Sequence, residues 1–282
     1  MVSRKIILGT AQLGMPYGIA GGKLKTKEEV FSILKTAKAK GVKDLDTANV
    51  YGNAEKIIGE FNERYGCQFN INTKFKGHEN SIEDQVLKSL EKLKIDALNT
   101  CFFHSFEEFM MDSTFLKSLE KLKKEKMIQS IGLSVYTNEQ FEIALNAPVD
   151  VIQIPFNVLD NWLERGALIR LANKKNKKIQ IRSIFLQGLF FLENLPQKLE
   201  KLKIPLKEVM ALSKKWNIPV AQLLIGYANS FNAIDSVLIG VDSVKHLTQN
   251  ISFFAQPLPQ KLINEIHQIK IKARELLLPI NW

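Results

Sequence analysis

Cysteine and histidine are scarce in this chain, with two and four residues respectively among 282. Cys67 and Cys101 form no CxxC pair and no Cys/His metal spacing. That argues against a disulfide framework or a zinc site and reads both as buried free thiols. No acidic pair suited to a metal stands at the strand ends, so no metal is expected. Long apolar runs are missing too. No stretch approaches the ~18 residues of a membrane span, and the start, MVSRKIILGTAQLG, has too short an apolar run for a targeting signal. A cytosolic protein with no membrane partner is expected. No GxGxxG follows a strand, because Gly9 and Gly14 flank TAQL instead, so a Rossmann domain is not expected. No long Gly, Ser or Pro linker divides the chain. Residues 1–282 therefore read as one domain, at a length slightly above the roughly 250 residues usual for a (β/α)8 barrel.

Hydrophobic residues make up 45% and charged residues 24% of the sequence, with a formal charge of +10. The lysines fall in segments such as KSLEKLKKEKM and NKKNKK, where they mix with helical apolar spacing or mark polar connections. A solvated helical rim accounts for them, and nucleic acid is not an expected partner.

Short apolar or β-branched runs alternate with longer amphipathic stretches along the chain. KIILG, VKDLD, FNINT, ALNTCFF, IQSIGL, DVIQIP, KIQIRSI and DSVLIG are eight candidate strands. Residues 26–41 open on a threonine cap and an acidic turn and close on Gly41, while residues 81–95 open on a serine cap. The fold expected is an α/β protein, a (β/α)8 TIM barrel. The longest interruption, between the seventh and eighth runs, is expected to hold more than one helix. Two helices are expected after the eighth run, followed by the tail LLPINW over the mouth of the barrel.

Asp46, Tyr51, Lys74 and His104 mark three successive units of this alternation. Lys74 lies 28 residues after Asp46, and His104 30 after Lys74, each close to the length of one strand-helix-strand unit. Polar residues where apolar runs stop belong at the carboxyl ends of barrel strands, where such barrels place their chemistry. Tyrosine, with a reference pKa of about 10, is a slow acid at neutral pH. A lysine ammonium beside it eases its ionisation, an aspartate holds the lysine, and a histidine can hydrogen-bond the oxygen being protonated. Taken singly, each has a bland reading: Asp46 as a helix cap, Lys74 as a surface lysine, His104 as a core histidine, Tyr51 as a loop-edge ring. Together they suit proton donation to a carbonyl oxygen.

DTANVYGNAEKIIG, the TK of INTKF and the His ending TCFFH resemble the aldo-keto reductase superfamily over nearly the whole chain, and the first strand most resembles bacterial members, including oxidoreductases associated with surface-sugar pathways. The resemblance implies an NAD(P)H-dependent reductase of a small-molecule aldehyde or ketone, with Tyr51 as general acid and Lys74, Asp46 and His104 assisting. It implies that Ser134 and Gln153 bind the nicotinamide carboxamide and that Ser183, Gln187 and Gly188 wrap the pyrophosphate. Gly240, Val241, Ser243, His246 and Asn250 would surround the adenosine. NADPH is the expected cofactor, with NADH left open, because Asp242 would repel a 2′-phosphate unless Lys245 and His246 offset it. Val135 and Arg182 depart from the family pattern, standing where many members have an amide-binding asparagine and an aromatic that stacks on the nicotinamide, so the resemblance implies a ring held differently here. Phe106, Phe109, Phe156, Trp162 and Trp282 are candidate pocket residues. A nucleotide-binding regulatory subunit and a non-redox isomerase or lyase barrel are the alternatives. A monomer is expected, with an oligomer left open.

Overall fold

Eight parallel strands close on themselves in sequence order, β1 (Ile6–Gly9), β2 (Asp44–Asp46), β3 (Asn70–Phe75), β4 (Leu98–Phe103), β5 (Ile128–Ser134), β6 (Val151–Pro155), β7 (Lys178–Arg182) and β8 (Ser236–Gly240). β8 pairs back onto β1, with Gly9 opposite Gly240, so the sheet has no edge. This is the (β/α)8 barrel, in a computed structural model that describes residues 6–19, 21–66, 69–76, 81–111 and 113–282. Cys67 and His78 lie outside the described residues, whereas Cys101 is a buried free thiol in β4.

The strands are short, and both of their faces are covered. Every residue of β6 is buried, so its largely apolar sequence does not alternate, and the last five residues of β3 are buried although Asn72, Thr73 and Lys74 are polar. Phe102 fills the barrel interior, and Gly132 opposite it leaves the space that its ring occupies. Outside, helix Lys27–Ala39 starts on a capping box between Thr26 and Glu29, and helix Ile82–Leu93 starts on Ser81. Those caps satisfy backbone donors that the helices cannot pair internally.

The segment between β7 and β8 holds 3-10 turns at Leu186–Phe191 and Gln197–Leu202, then helices Lys203–Lys215 and Val220–Asn229. After β8 come helices Val244–Phe254 and Gln260–Ile266. The second is shorter than its sequence suggests. His267 leaves the helix and its Nε2 lies 2.8 Å from Tyr227 Oη, and the chain continues to a 3-10 turn at Arg274–Leu277. Pro279 and Ile280 in the tail reach the mouth of the barrel. Among the described residues, no helix is long and apolar enough to cross a membrane.

Candidate active site

The carboxyl ends of the strands open into a cavity of about 940 Å³, and Asp46, Tyr51, Lys74 and His104 all line it. Asp46 ends β2 and sits opposite Asn72 of β3, so Lys74 projects from the same face two residues further along. Lys74 lies within β3, one residue before the strand ends. From there its Nζ forms an ion pair with Asp46 Oδ1 and donates to the Thr47 carbonyl at 3.1 Å. The two side chains are 2% and 3% exposed. Burial lowers the lysine's affinity for its proton, and Asp46 only partly restores it.

Tyr51 stands on a loop that the first strand's neighbour braces. Gly14, at the end of the short helix Ala11–Gly14, lies so close to the Tyr51 carbonyl and the Ala54 amide that a side chain there would overlap both. Gly52 takes φ +55°, a left-handed turn next to the Gly14 carbonyl, and Asn53 N donates to that carbonyl at 3.1 Å. The Tyr51 ring meets His104 edge-on at 5.9 Å, and Lys74 Nζ lies 5.3 Å from its centroid. Burial and the Asp46 carboxylate push the phenol above its ordinary pKa, against an opposing pull from Arg182. Lys74 spends its charge on Asp46 and Thr47, so the phenol is held protonated.

His104 follows β4 directly, its backbone N–H donating to Phe75 O at 3.2 Å. Burial, then the cations Lys74, Arg182 and Lys76, push the imidazole down to about 3, so it is neutral. Its Nδ1 is buried without a hydrogen-bond partner.

Ser134 and Gln153 are register partners on β5 and β6, and both line the cavity. Gln153 Nε2 donates to Asp46 Oδ2 at 3.0 Å, whereas its Oε1 has no partner. Ser183, Gln187 and Gly188 line the same cavity, in a stretch with φ of +61°, +54° and +94°. Left-handed backbone at a serine and a glutamine is strained and concentrates at ligand sites. Gly240, His246 and Asn250 complete the set.

Val241 and Ser243 do not line the cavity. Val241 is a core residue at 1% exposure, and the Ser243 side chain caps helix Val244–Phe254 by accepting from His246 N at 3.1 Å. Lys245 is likewise absent from the lining. The cation beside Asp242 is instead Lys25, 3.6 Å away and 11% exposed. None of the five candidate aromatics faces the cavity either: Trp162 stacks on Phe231 at 4.3 Å, Phe156 on Tyr227 at 5.7 Å, and Phe109 meets Phe103 edge-on at 5.3 Å. Tyr17, Tyr136, Phe185 and Phe191 line it in their place, from loops whose path the sequence pattern does not define.

These residues fit a nicotinamide dinucleotide. The unpaired Gln153 Oε1 and the Ser134 hydroxyl suit a carboxamide, open space at Gly188 admits a phosphate close to the backbone, and helix Val244–Phe254 begins beside Gly240. Among the described residues, no cluster of three His, Cys, Asp or Glu could hold a metal.

Solved structures share this architecture. The holo form of an aldo-keto reductase from Bacillus halodurans superposes with a TM-score of 0.76 at 19% identity, over 94% of this chain and 91% of that one. A glycerol dehydrogenase from Gluconobacter oxydans gives 0.73 at 19%, over 97% and 93%. Among curated proteins, the aldo-keto reductase str7 of Strobilurus tenacellus is 23% identical over 96% of this chain and 88% of its own. The L-galactose dehydrogenase of Arabidopsis thaliana is also 23% identical, over 96% and 92%. The family model described as the aldo/keto reductase family matches residues 5–271, a span that holds the barrel and every polar residue of the cavity described above, and the chain belongs to that family of oxidoreductases.

Proposed function

We propose that this protein reduces an aldehyde or ketone to the alcohol with a nicotinamide dinucleotide, Tyr51 supplying the proton. The observation that carries the reading is the buried Lys74–Asp46 pair beneath the Tyr51 ring, with a neutral His104 edge-on to that ring. An ion pair this buried costs folding energy that a hydrophobic pair would not. Its place in the cavity supports a chemical role.

When bound, the reduced nicotinamide supplies the hydride that the carbonyl carbon receives. The phenol, protonated in the resting protein, gives its proton to the carbonyl oxygen as negative charge develops there. The phenolate left behind, its ring centroid 5.3 Å from Lys74 Nζ, regains a proton from solvent. The neutral imidazole still carries one N–H, which can hydrogen-bond the carbonyl oxygen and hold it near Tyr51. Ser134 and Gln153 would hold the carboxamide, and Ser183, Gln187 and Gly188 the pyrophosphate. Gly240, His246 and Asn250 would hold the adenosine. NADPH is the proposed cofactor, because Lys25 beside Asp242 offsets the negative charge at that end of the cavity.

Titrating the purified protein with NADPH and with NADH, followed by tryptophan fluorescence, tests the cofactor. Turnover of model aldehydes tests the chemistry. Tyr51→Phe should lower kcat by about 10²–10⁴-fold, the range for loss of a general acid, with cofactor affinity retained. Tight cofactor binding without turnover would indicate a nucleotide-binding module instead. Binding of neither cofactor would return the protein to non-redox barrel chemistry.

A further inference from the structure

Arg182 ends β7 and lines the cavity, where its guanidinium stacks on the Tyr136 ring at 4.2 Å. Its hydrogen bonds are long, 3.3 Å to Ser183 Oγ and 3.4 Å to the Val135 carbonyl. Among the described residues, no carboxylate lies within ion-pair distance of it. The other arginine of this region is placed quite differently. Arg165 is 6% exposed and grips Asp160 with two bonds of 2.9 and 2.8 Å, while a third, of 2.7 Å, holds the Tyr136 carbonyl. Arg182 therefore rests on a ring whose backbone is fixed from behind, and neither of its two long bonds meets a charged partner.

A half-buried guanidinium without a counter-ion is costly unless a ligand supplies the anion. The two acidic residues of the cavity lining are already used, Asp46 by Lys74 and Asp242 by Lys25. Arg182 lines the same cavity as Tyr51, Lys74 and His104.

We propose that Arg182 is the anchor of an anion subsite beside Tyr51 and His104, and that the carbonyl substrate carries a carboxylate or phosphate group bound there. The inference rests on the reductase reading for the word substrate, and on the guanidinium's own surroundings for the anion. Arginine suits both groups because its parallel N–H pairs match two oxygens at once.

Steady-state kinetics of the full chain, at saturating cofactor, would compare 4-carboxybenzaldehyde and 4-formylphenyl phosphate with the neutral methyl 4-formylbenzoate. One anionic aldehyde should exceed the ester in kcat/KM by roughly tenfold or more, chiefly through KM. Whichever is favoured names the group. Arg182→Met should bring the ratio near one, and Arg182→Lys should keep part of it. A role confined to propping Tyr136 would shift Tm in these variants and leave the ratio alone. Equal kcat/KM for the three aldehydes in the wild type, or a ratio untouched by Arg182→Met, overturns the proposal. An untouched ratio with weakened NADPH binding would assign the guanidinium to the cofactor instead. If no aldehyde turns over with either cofactor, the reductase reading fails, and benzoate and phenyl phosphate binding to the wild type and Arg182→Met decide the anion site alone. Binding lost in the variant supports it, and equal binding sinks it.

Discussion

Gln153 on β6 donates to the second oxygen of Asp46 on β2 at 3.0 Å, across the interior of the barrel. The carboxylate that pairs with Lys74 is thus held from two sides, by strands 107 residues apart in sequence. A carboxylate so restrained holds its lysine in one position, 5.3 Å from the Tyr51 ring centroid. The restraint also ties two proposed tasks together. One end of Gln153 fixes the ion pair, and its unpaired Oε1 remains for a ligand amide.

Removing one half of that arrangement leaves a buried charge alone. Asp46→Asn should destabilise the protein by about 3–5 kcal/mol, the usual cost of orphaning a buried ion. Replacing both partners, with Asp46→Asn and Lys74→Met together, should cost less than Asp46→Asn by itself. Urea unfolding of the two variants checks the order. A double variant less stable than the single one would mean that the pair contributes net stability.

The His104 imidazole, held to about 3, ties stability to pH in a definite direction. In the unfolded chain it takes up a proton near its reference pKa of about 6.5, whereas in the folded protein it does not. The unfolded state therefore binds more protons on acidification, and stability falls as pH drops from about 6.5 towards 3. Above that window His104 contributes no pH dependence. Glu60, Glu139 and Glu265, all lowered by hydrogen bonds, add an acid loss of their own at lower pH. His104→Gln should consequently lose less stability than the wild type between pH 7 and pH 4.5. An identical loss would show that the imidazole is protonated in the fold. In the wild type, kcat/KM should show no break from this residue between pH 5 and pH 8.

Most of the barrel was legible because its strands are buried on both faces and several of its helices carry side-chain caps. Each of the eight apolar runs became a strand with ends displaced by one or two residues. Lys74 shows why the ends were harder: a lysine read as following the strand continues it, because Asp46 inside the barrel gives its charge a partner. Side-chain spacing also brought the four chemical residues to one cavity. Val241 and Ser243 do not line the cavity, and a loop position says nothing of which way its side chain turns. Tyr17 and Tyr136 stayed hidden for the same reason, since long-range backbone bonds such as Ile19 N to Gln187 O, 3.0 Å, set their loops. Lys25 could be matched to Asp242 only once β8 had paired with β1.

Gly14 is a position where activity and stability should separate. Ala at this site would overlap the Tyr51 carbonyl and the Ala54 amide, both backbone atoms that cannot rotate away. The loop bearing Tyr51 must move instead, and misplacing a catalytic group by about 1 Å can cost roughly 10²-fold in rate. Overpacking of this kind typically costs about 1–3 kcal/mol. Gly14→Ala should fold and bind cofactor while losing most of its kcat. Full activity in that variant would show that Tyr51 tolerates displacement and is not the proton donor.

Asp242 and Lys25 offer a direct test of cofactor choice. The aspartate is 56% exposed and the lysine mostly buried, so their 3.6 Å pair is modest in energy and screened on one side. A 2′-phosphate arriving at this end would compete with Asp242 for the same ammonium. Asp242→Asn should therefore raise NADPH affinity and leave NADH affinity within about twofold, because NADH brings no phosphate here. Lys25→Met should do the reverse, weakening NADPH more than NADH. Both effects should shrink as salt rises, since the exposed Asp242 is screened over about 10 Å at 0.1 M ionic strength. Fluorescence titrations of the two variants with each cofactor, at low and high salt, give the four comparisons needed. Equal shifts for NADPH and NADH would remove the 2′-phosphate from this corner of the cavity and return Lys25 to a structural role.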